Sequence, residues 1–246
     1  MKILLSPAKK MNADVDFLEP RQLPALLERT EQLMQYLRSL PYEELKKLLC
    51  CNDAIARLNF DRYRKMQLRR NLTPALLSYE GFQYQYMAPR LFTEPQYAYV
   101  EAHVRILSGF YGVLRPFDGV VPYRLEMQAK VQTPFCKNLY DFWGGSLFDQ
   151  LEEPEGTIVN LASKEYGKVV LPYVPQGVRV ITPVFGELCE DKIMEKGVYV
   201  KMARGEMVRY MAEHAVSCPE EIRQFRRLGY RYCAERSSDS VFVFLR

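Results

Sequence analysis

Histidine is almost missing from this chain of 246 residues. There are two, His103 and His214, and neither has a second histidine or a cysteine at ligand spacing. A structural zinc site of the usual Cys/His kind is therefore not expected. No acidic cluster stands at ligand spacing either, so we expect no bound metal and no cofactor. Cysteine is sparse in a second sense: Cys50 and Cys51 are neighbours, the other four are scattered, and no C-x-x-C pair exists. Reduced, structural thiols are the reading that fits, together with a cytoplasmic location. No apolar run approaches a membrane span. The first seven residues carry one lysine and three aliphatic residues, too few for a signal peptide. Repeats, low-complexity tracts and linkers are also lacking.

What is present is an ordinary globular composition, with 48% hydrophobic and 26% charged residues, and a net charge of +4. That charge permits a nucleic-acid partner without requiring one. Residues 2–5 form an apolar strand pattern. Leu23, Leu26, Leu27, Thr30, Leu33, Met34 and Leu37 fall on one helical stripe, with Pro24 near its first turn. Further helices are expected over 42–51 and 53–66, the second capped by Asn52. Another is expected from Thr73-Pro74 to about 87, with Gly81 as its weak point, and one more behind the capping box Thr93-x-x-Gln96. Strand patterns then take over, at 104–107, 123–127, 157–161, 178–184 and 197–202. A helix follows from Arg204-Gly205 to about 216, and 230–235 with 241–245 read as a hairpin at a sheet edge. The expected fold is thus mixed α/β: one compact domain over 1–246, a central partly parallel sheet, a helical N-terminal third and a C-terminal hairpin.

Three of the buried strands end alike, in Ser6-Pro7-Ala8-Lys9, in Ser108-Gly109 and in Asn160-Leu161-Ala162-Ser163-Lys164. Open α/β sheets bind ligands outside the carboxyl ends of their strands. If these strands are parallel neighbours, hydroxyls, backbone N–H groups and two lysines gather in one cleft and favour an anion such as phosphate. The competing reading is three unrelated loops whose serines cap turns. In Tyr123-Arg124-Leu125-Glu126-Met127, strand periodicity puts Arg124 and Glu126 on one face. They form either a plain surface ion pair or a group that binds an anion and exchanges a proton. Lys201, Arg204 and Arg209 place positive charge at the start of the expected helix, which opposes its dipole and invites a negative partner. Basic runs at 57–70 and 223–236, interleaved with aromatics, read either as solvated faces or as nucleic-acid contacts. Trp143 reads as a core anchor.

Together these segments resemble the YaaA family of peroxide-stress proteins. The motifs that carry the resemblance are Ser6-Pro7-Ala8-Lys9, the run from Leu107-Ser108-Gly109 to Leu114-Arg115-Pro116, and Pro122-Tyr123-Arg124-Leu125-Glu126-Met127. They continue with Leu139-Tyr140-x-Phe142-Trp143, Asn160-Leu161-Ala162-Ser163-x-Glu165-Tyr166, Pro183-Val184-Phe185 and Ala203-Arg204-Gly205. Order and spacing hold from end to end. The resemblance implies a cytoplasmic protein of oxidative-stress defence that limits peroxide and iron damage to DNA. It also implies a cantaloupe-like fold with a positively charged cleft, a helix-hairpin-helix element and sequence-independent binding of double-stranded DNA. The Ser108-Gly109-Phe110-Tyr111-Gly112 turn is the best match for that hairpin. The family signature has threonine where Lys10 stands. On this reading Ser6, Lys9, Lys10, Ser108, Gly109, Gly112, Asn160, Ser163, Lys164, Lys201, Arg204 and Arg209 hold phosphate or DNA. An alternative makes the chain an enzyme acting on a nucleotide, a nucleobase or damaged DNA, with Glu126 as acid or base and Arg124 steadying negative charge.

Overall fold

The computed structural model describes residues 1–13, 17–151 and 156–246. Strand β1 (Lys2–Leu5) is buried from Ile3 onward, and the two-residue strand β2 (Lys10–Met11) follows it. Three helices come next: α1 (Leu27–Ser39), α2 (Tyr42–Leu49) and α3 (Asp53–Lys65). The Asn52 side chain accepts the Ile55 N–H at 3.0 Å, the cap expected of it. In α1 the stripe of Leu27, Thr30, Leu33 and Leu37 is buried, while Leu23 lies before the helix and is exposed.

The single helix expected over 74–87 is not formed. Thr73–Pro74 is a short strand, β3, followed by one helical turn, α4 (Ala75–Ser78). Next is β4 (Tyr79–Glu80), and only after Gly81 comes α5 (Phe82–Met87). The cause is pairing with distant segments. β4 runs antiparallel to β2, with Lys10 opposite Glu80. Helix propensity over so short a stretch is a weak preference that such tertiary pairing overrides.

Helix α6 (Glu94–His103) begins on the expected Thr93/Gln96 capping box. It leads into β5 (Val104–Ser108) and β6 (Gly112–Leu114); β7 (Gly119–Val120) pairs with β3. Helices α7 (Leu139–Trp143) and α8 (Ser146–Asp149) precede β8 (Thr157–Asn160) and α9 (Lys164–Gly167). Strands β9 (Arg179–Cys189) and β10 (Lys192–Met194) form a hairpin. Helix α10 (Gly197–Glu213) then runs to the final pair, β11 (Arg231–Tyr232) and β12 (Val241–Leu245).

One sheet takes strands from both ends of the chain. Its order is β11-β12-β9-β8-β1-β5-β6, with β10 joined to β9. The five inner strands, β12, β9, β8, β1 and β5, are parallel throughout. The three central ones, β8, β1 and β5, have their apolar residues buried on both faces, as parallel strands require when helices cover them. β1 lies between β5 and β8, so the expected neighbourhood of the three serine-bearing strand ends is real. The C-terminal hairpin also forms, with β11 as the outermost strand.

Two expectations fail here. Residues 197–202 are the first turns of α10, not a strand, despite Val198 and Val200. Residues 108–112 do not make a helix-hairpin-helix: they turn β5 into β6, an antiparallel strand pair in which Ser108 faces Gly112. Every residue of that turn is buried. Gly109 explains why. A Cβ there would stand 2.5 Å from the Leu125 carbonyl oxygen, so the 123–127 segment lies directly on the turn. Trp143, 1% exposed, donates its indole N–H to the Gly109 carbonyl at 3.1 Å and is the core anchor expected.

Candidate functional site

Beyond the carboxyl ends of β1 and β8 lies a cleft of about 360 Å³. That is the size range of small-molecule sites. Its floor is made by Ser6, immediately after β1, and Ser163, which precedes α9. The two are tied together: the Ser163 N–H donates to Ser6 Oγ at 2.8 Å, and the Ser6 hydroxyl lies 3.3 Å from Ser163 Oγ. The Ser6 carbonyl accepts from Gln83 Nε2 at 3.1 Å and from the Tyr84 hydroxyl at 3.0 Å. These bonds pin α5 to the strand end and make it one wall.

The 123–127 segment is the opposite wall. It joins no sheet, yet its side chains alternate as a strand's do, with Tyr123, Leu125 and Met127 buried and Arg124 and Glu126 turned to the cleft. The buried half is anchored by hydrogen bonds. Ser108 Oγ accepts the N–H groups of Phe110 at 3.1 Å and Tyr111 at 2.8 Å. With both lone pairs used, its proton goes to the Tyr123 oxygen, 2.6 Å away. The Tyr123 hydroxyl lies 2.8 Å from that of Tyr79. Burial pushes Tyr123 up to about 12, so this network stays neutral. Tyr63, fully buried, donates to the Arg124 carbonyl at 2.8 Å. Thus Arg124 and Glu126 are held by a rigid aromatic base.

The charges follow a definite plan. Glu126 Oε1 is 2.9 Å from Lys9 Nζ and 3.1 Å from a terminal nitrogen of Arg124. Glu126 Oε2 makes no hydrogen bond or ion pair among the described residues. Arg124 is 13% exposed and its Nε is buried without a partner. Lys10 is paired with Glu80 at 2.5 Å on the rim. Lys201 and Arg204, one turn apart on α10, also line the cleft. Neither has an ion-pair partner within bonding distance among the described residues, and Arg204 Nε is buried and unsatisfied. Burial holds the Arg204 guanidinium below its ordinary value, against the pull of Glu195. Two arginines that line one cleft thus each keep a buried N–H without a partner among the described residues.

A second carboxylate that the sequence reading passed over, Glu165, lines the same cleft. Its Oε1 accepts the Gln128 N–H at 3.2 Å. Burial pushes it above the ordinary carboxylate value; that N–H pulls it back, and the negative charge of Glu126 adds to the rise. The sign of the linked stability follows. A carboxyl whose folded value is raised favours the fold at low pH, and that contribution fades as pH climbs through the folded value. A Glu165→Gln chain should therefore gain melting temperature relative to the parent between pH 4 and pH 8. Parallel thermal melts across that range check it; a constant difference at every pH would contradict it.

The remaining sequence candidates separate into groups. Ser6, Lys9, Lys10, Arg124, Glu126, Ser163, Lys201 and Arg204 meet in the cleft. Ser108, Gly109 and Gly112 are buried beneath it and support it from below, which corrects their assignment as phosphate contacts. Asn160 is also buried and shapes the turn after β8, donating to Thr182 Oγ1 at 3.4 Å and accepting the Ala162 N–H at 3.2 Å. Lys164 is exposed outside the cleft lining. Arg209, on another face of α10, is paired with Glu213 at 2.7 Å. Because α10 begins at Gly197, Lys201 and Arg204 lie beyond its first turn, and the expected conflict with the helix dipole does not arise. Part of each of the two basic runs is engaged within the fold. Arg57 pairs with Asp53, Arg69 with Glu31, and Arg227 with Glu206 and Glu213.

Phe82 and Tyr84 were missed because that stretch reads as part of one long helix. Glu165 left a signal, since it stands in the motif Asn160-Leu161-Ala162-Ser163-x-Glu165-Tyr166. Among the described residues no group of three or more His, Cys, Asp and Glu side chains is placed to hold a metal ion. Nor is any described helix long and apolar enough to cross a membrane.

Comparison with known proteins agrees with this reading of the motifs. A family model described as "Peroxide stress protein YaaA" matches residues 1–236. A UPF0246 protein of Desulfitobacterium hafniense is 56% identical over 246 residues, all of this chain and 98% of its own length. UPF0246 proteins of Lachnoclostridium phytofermentans and Lactiplantibacillus plantarum are 51% and 47% identical, each aligned over the whole of this chain and over 96% and 99% of their own lengths. A model match over nearly the full length, with relatives at these identities, leaves one conclusion: the chain belongs to the YaaA family of peroxide stress proteins.

Proposed function

We propose that the chain serves peroxide-stress defence as an enzyme of the nucleic-acid pool, acting on a phosphate-bearing nucleotide or on one exposed unit of damaged DNA. The observation that carries this reading is Glu126: one oxygen is fixed by Lys9 and Arg124, and the other has no partner among the described residues, in a cleft where Lys201 and Arg204 also have no ion-pair partner among them. A site that only tracks a DNA backbone has no use for a carboxylate, which repels phosphate. A site that moves a proton beside a phosphate does. Arg204, Lys201 and Arg124 supply positive charge in a half-enclosed space, where it is worth more than on an open surface.

The cleft also argues for a small ligand. At about 360 Å³ it cannot enclose a duplex, whose major groove alone is about 12 Å wide. Duplex binding is kept as a second reading for one reason. Lys9, Lys10, Lys164 and Lys201 are exposed on or near the rim, where they could grip a backbone from which a single unit enters the cleft. Limiting iron damage would then follow from protecting or clearing nucleic-acid constituents.

Calorimetric titration separates these readings. Inorganic phosphate and mononucleotides should bind the parent chain, and Arg204→Met should weaken both by roughly tenfold or more, the cost of losing one charged hydrogen-bond partner. If no phosphate compound binds, the small-ligand reading is wrong. A labelled duplex retained at low salt and released as salt rises would support the second.

A further inference from the structure

We infer that the cleft is built for a nucleoside monophosphate, its base stacked on Phe82 and its phosphate met by Arg204 and Lys201. The inference rests on the small-ligand reading above and adds the class of ligand and its direction of entry.

Phe82 is the first residue of α5, and 46% of it is exposed although it lines the cleft. The surrounding aromatics are treated differently. Tyr84, two residues on, is buried and bonded to Ser6, and Tyr123 and Tyr166 are buried in the opposite wall. Those three rings are buried, whereas Phe82 makes no ring or cation–π contact among the described residues and keeps nearly half its surface exposed. A bare aromatic face between charged groups is what a planar base covers, and such stacking is tolerant of which base it is.

The phosphate end lies on the same wall. Helix α10 meets α5 at Gly205, where a Cβ would collide with the Gln83 carbonyl oxygen and the backbone of Met87. That close approach fixes the side chains just before Gly205, Arg204 and Lys201, beside the start of α5. Arg204 Nε is buried with no hydrogen-bond partner among the described residues, and Lys201 is exposed with no ion-pair partner among them. A monophosphate dianion answers both. Across the cleft, Glu126 Oε2 and the Ser6/Ser163 pair face the space left for the sugar and its bond to the base.

Four probes test the proposal on the full chain: AMP and UMP, ribose 5-phosphate, and adenosine. Calorimetry should show each nucleotide binding about 10- to 100-fold more tightly than ribose 5-phosphate, the range expected for one stacked base. Phe82→Ala should remove that advantage and leave ribose 5-phosphate unchanged, while Phe82→Tyr should keep it. Arg204→Met should weaken nucleotides and ribose 5-phosphate together and spare adenosine. Far-ultraviolet circular dichroism and a melt confirm that each variant is folded. Equal affinity for AMP and ribose 5-phosphate, or a Phe82→Ala chain that binds AMP as the parent does, overturns the stacking proposal and leaves the anion-binding reading standing. Failure of every phosphate compound to bind overturns both.

Discussion

A Glu126→Gln chain is expected to fold as the parent does, to bind mononucleotides at least as well, and to lose protection of cells exposed to peroxide. Glutamine has the same shape, and its amide oxygen still accepts from Arg124 and Lys9, 3.1 Å and 2.9 Å away in the parent. Glu126 is 22% exposed, so removing its charge leaves Arg124 and Lys9 less balanced but not stranded in an apolar core. A phosphate should find the variant's cleft more positive than the parent's. What the amide cannot do is take up a proton. Positioned acid–base groups contribute about 10²- to 10⁴-fold to rate, and a loss of that order should read as a null in a complementation assay. The informative result is the combination: melting temperature and binding retained, protection gone. A variant that binds and protects like the parent would remove the reason for calling this an enzyme. The Arg124 partner behaves differently, because its side chain is nearly buried and its Nε has no acceptor among the described residues. Its removal mixes lost binding with lost packing, which makes Glu126 the cleaner test.

Gly205→Val should be the most damaging single substitution among those that touch no ligand. Position 205 is inside α10, where glycine by itself costs helix stability, roughly 1 kcal/mol against alanine. Its backbone takes an ordinary helical path, so the glycine is there for space and not for a turn. A Cβ would overlap the Gln83 carbonyl oxygen and press on the Met87 N–H, both backbone atoms that cannot rotate away. Overpacking of this kind costs about 1–3 kcal/mol and more when the backbone must move. For a chain of this length, a loss of about 3 kcal/mol lowers the melting temperature by roughly 6–12 °C. The displaced partner is α5, which carries Phe82 and the two side chains that hold the Ser6 carbonyl. Ligand affinity should therefore fall along with stability. Thermal melts and AMP titration of the Gly205→Ala and Gly205→Val chains check both; unchanged melting of the valine variant would show that α10 and α5 are not held as closely as described.

Local sequence determined more of the fold than of the site. Asn52, Thr93 and Gln96 mark their helix starts because a side-chain cap is an affair of four neighbouring residues. The inner strands were legible because β1, β5 and β8 are short apolar runs with turn residues behind them. Even the alternation at 123–127 was readable, although no strand pairs there. The failures share a cause. The helix expected over 74–87 breaks because residues 79 and 80 pair with residues 10 and 11, which no local window contains. Residues 197–202 carry two valines and look like a strand, yet their place at the start of a long helix against α5 makes them helical.

The same division applies to the chemistry. Sequence alone put Ser6, Lys9, Arg124, Glu126, Ser163, Lys201 and Arg204 forward as polar groups near strand ends and glycines, and the family motifs pointed the same way. It gave Ser108, Gly109 and Gly112 the same standing, because a buried hydroxyl and a ligand-binding hydroxyl are spelled identically. Only the tertiary structure separates them. The 123–127 segment lies on top of the 108–112 turn, so Ser108 spends its hydrogen bonds on Tyr123 and the turn's own backbone and never meets the cleft. Only the tertiary structure brings Glu165 within reach of the charge on Glu126 and leaves Phe82 uncovered beside Arg204. Caps and apolar runs are decided by neighbours along the chain. Which charges go unpaired, and which ring is left bare, is decided by segments 40 to 200 residues apart meeting at the ends of parallel strands.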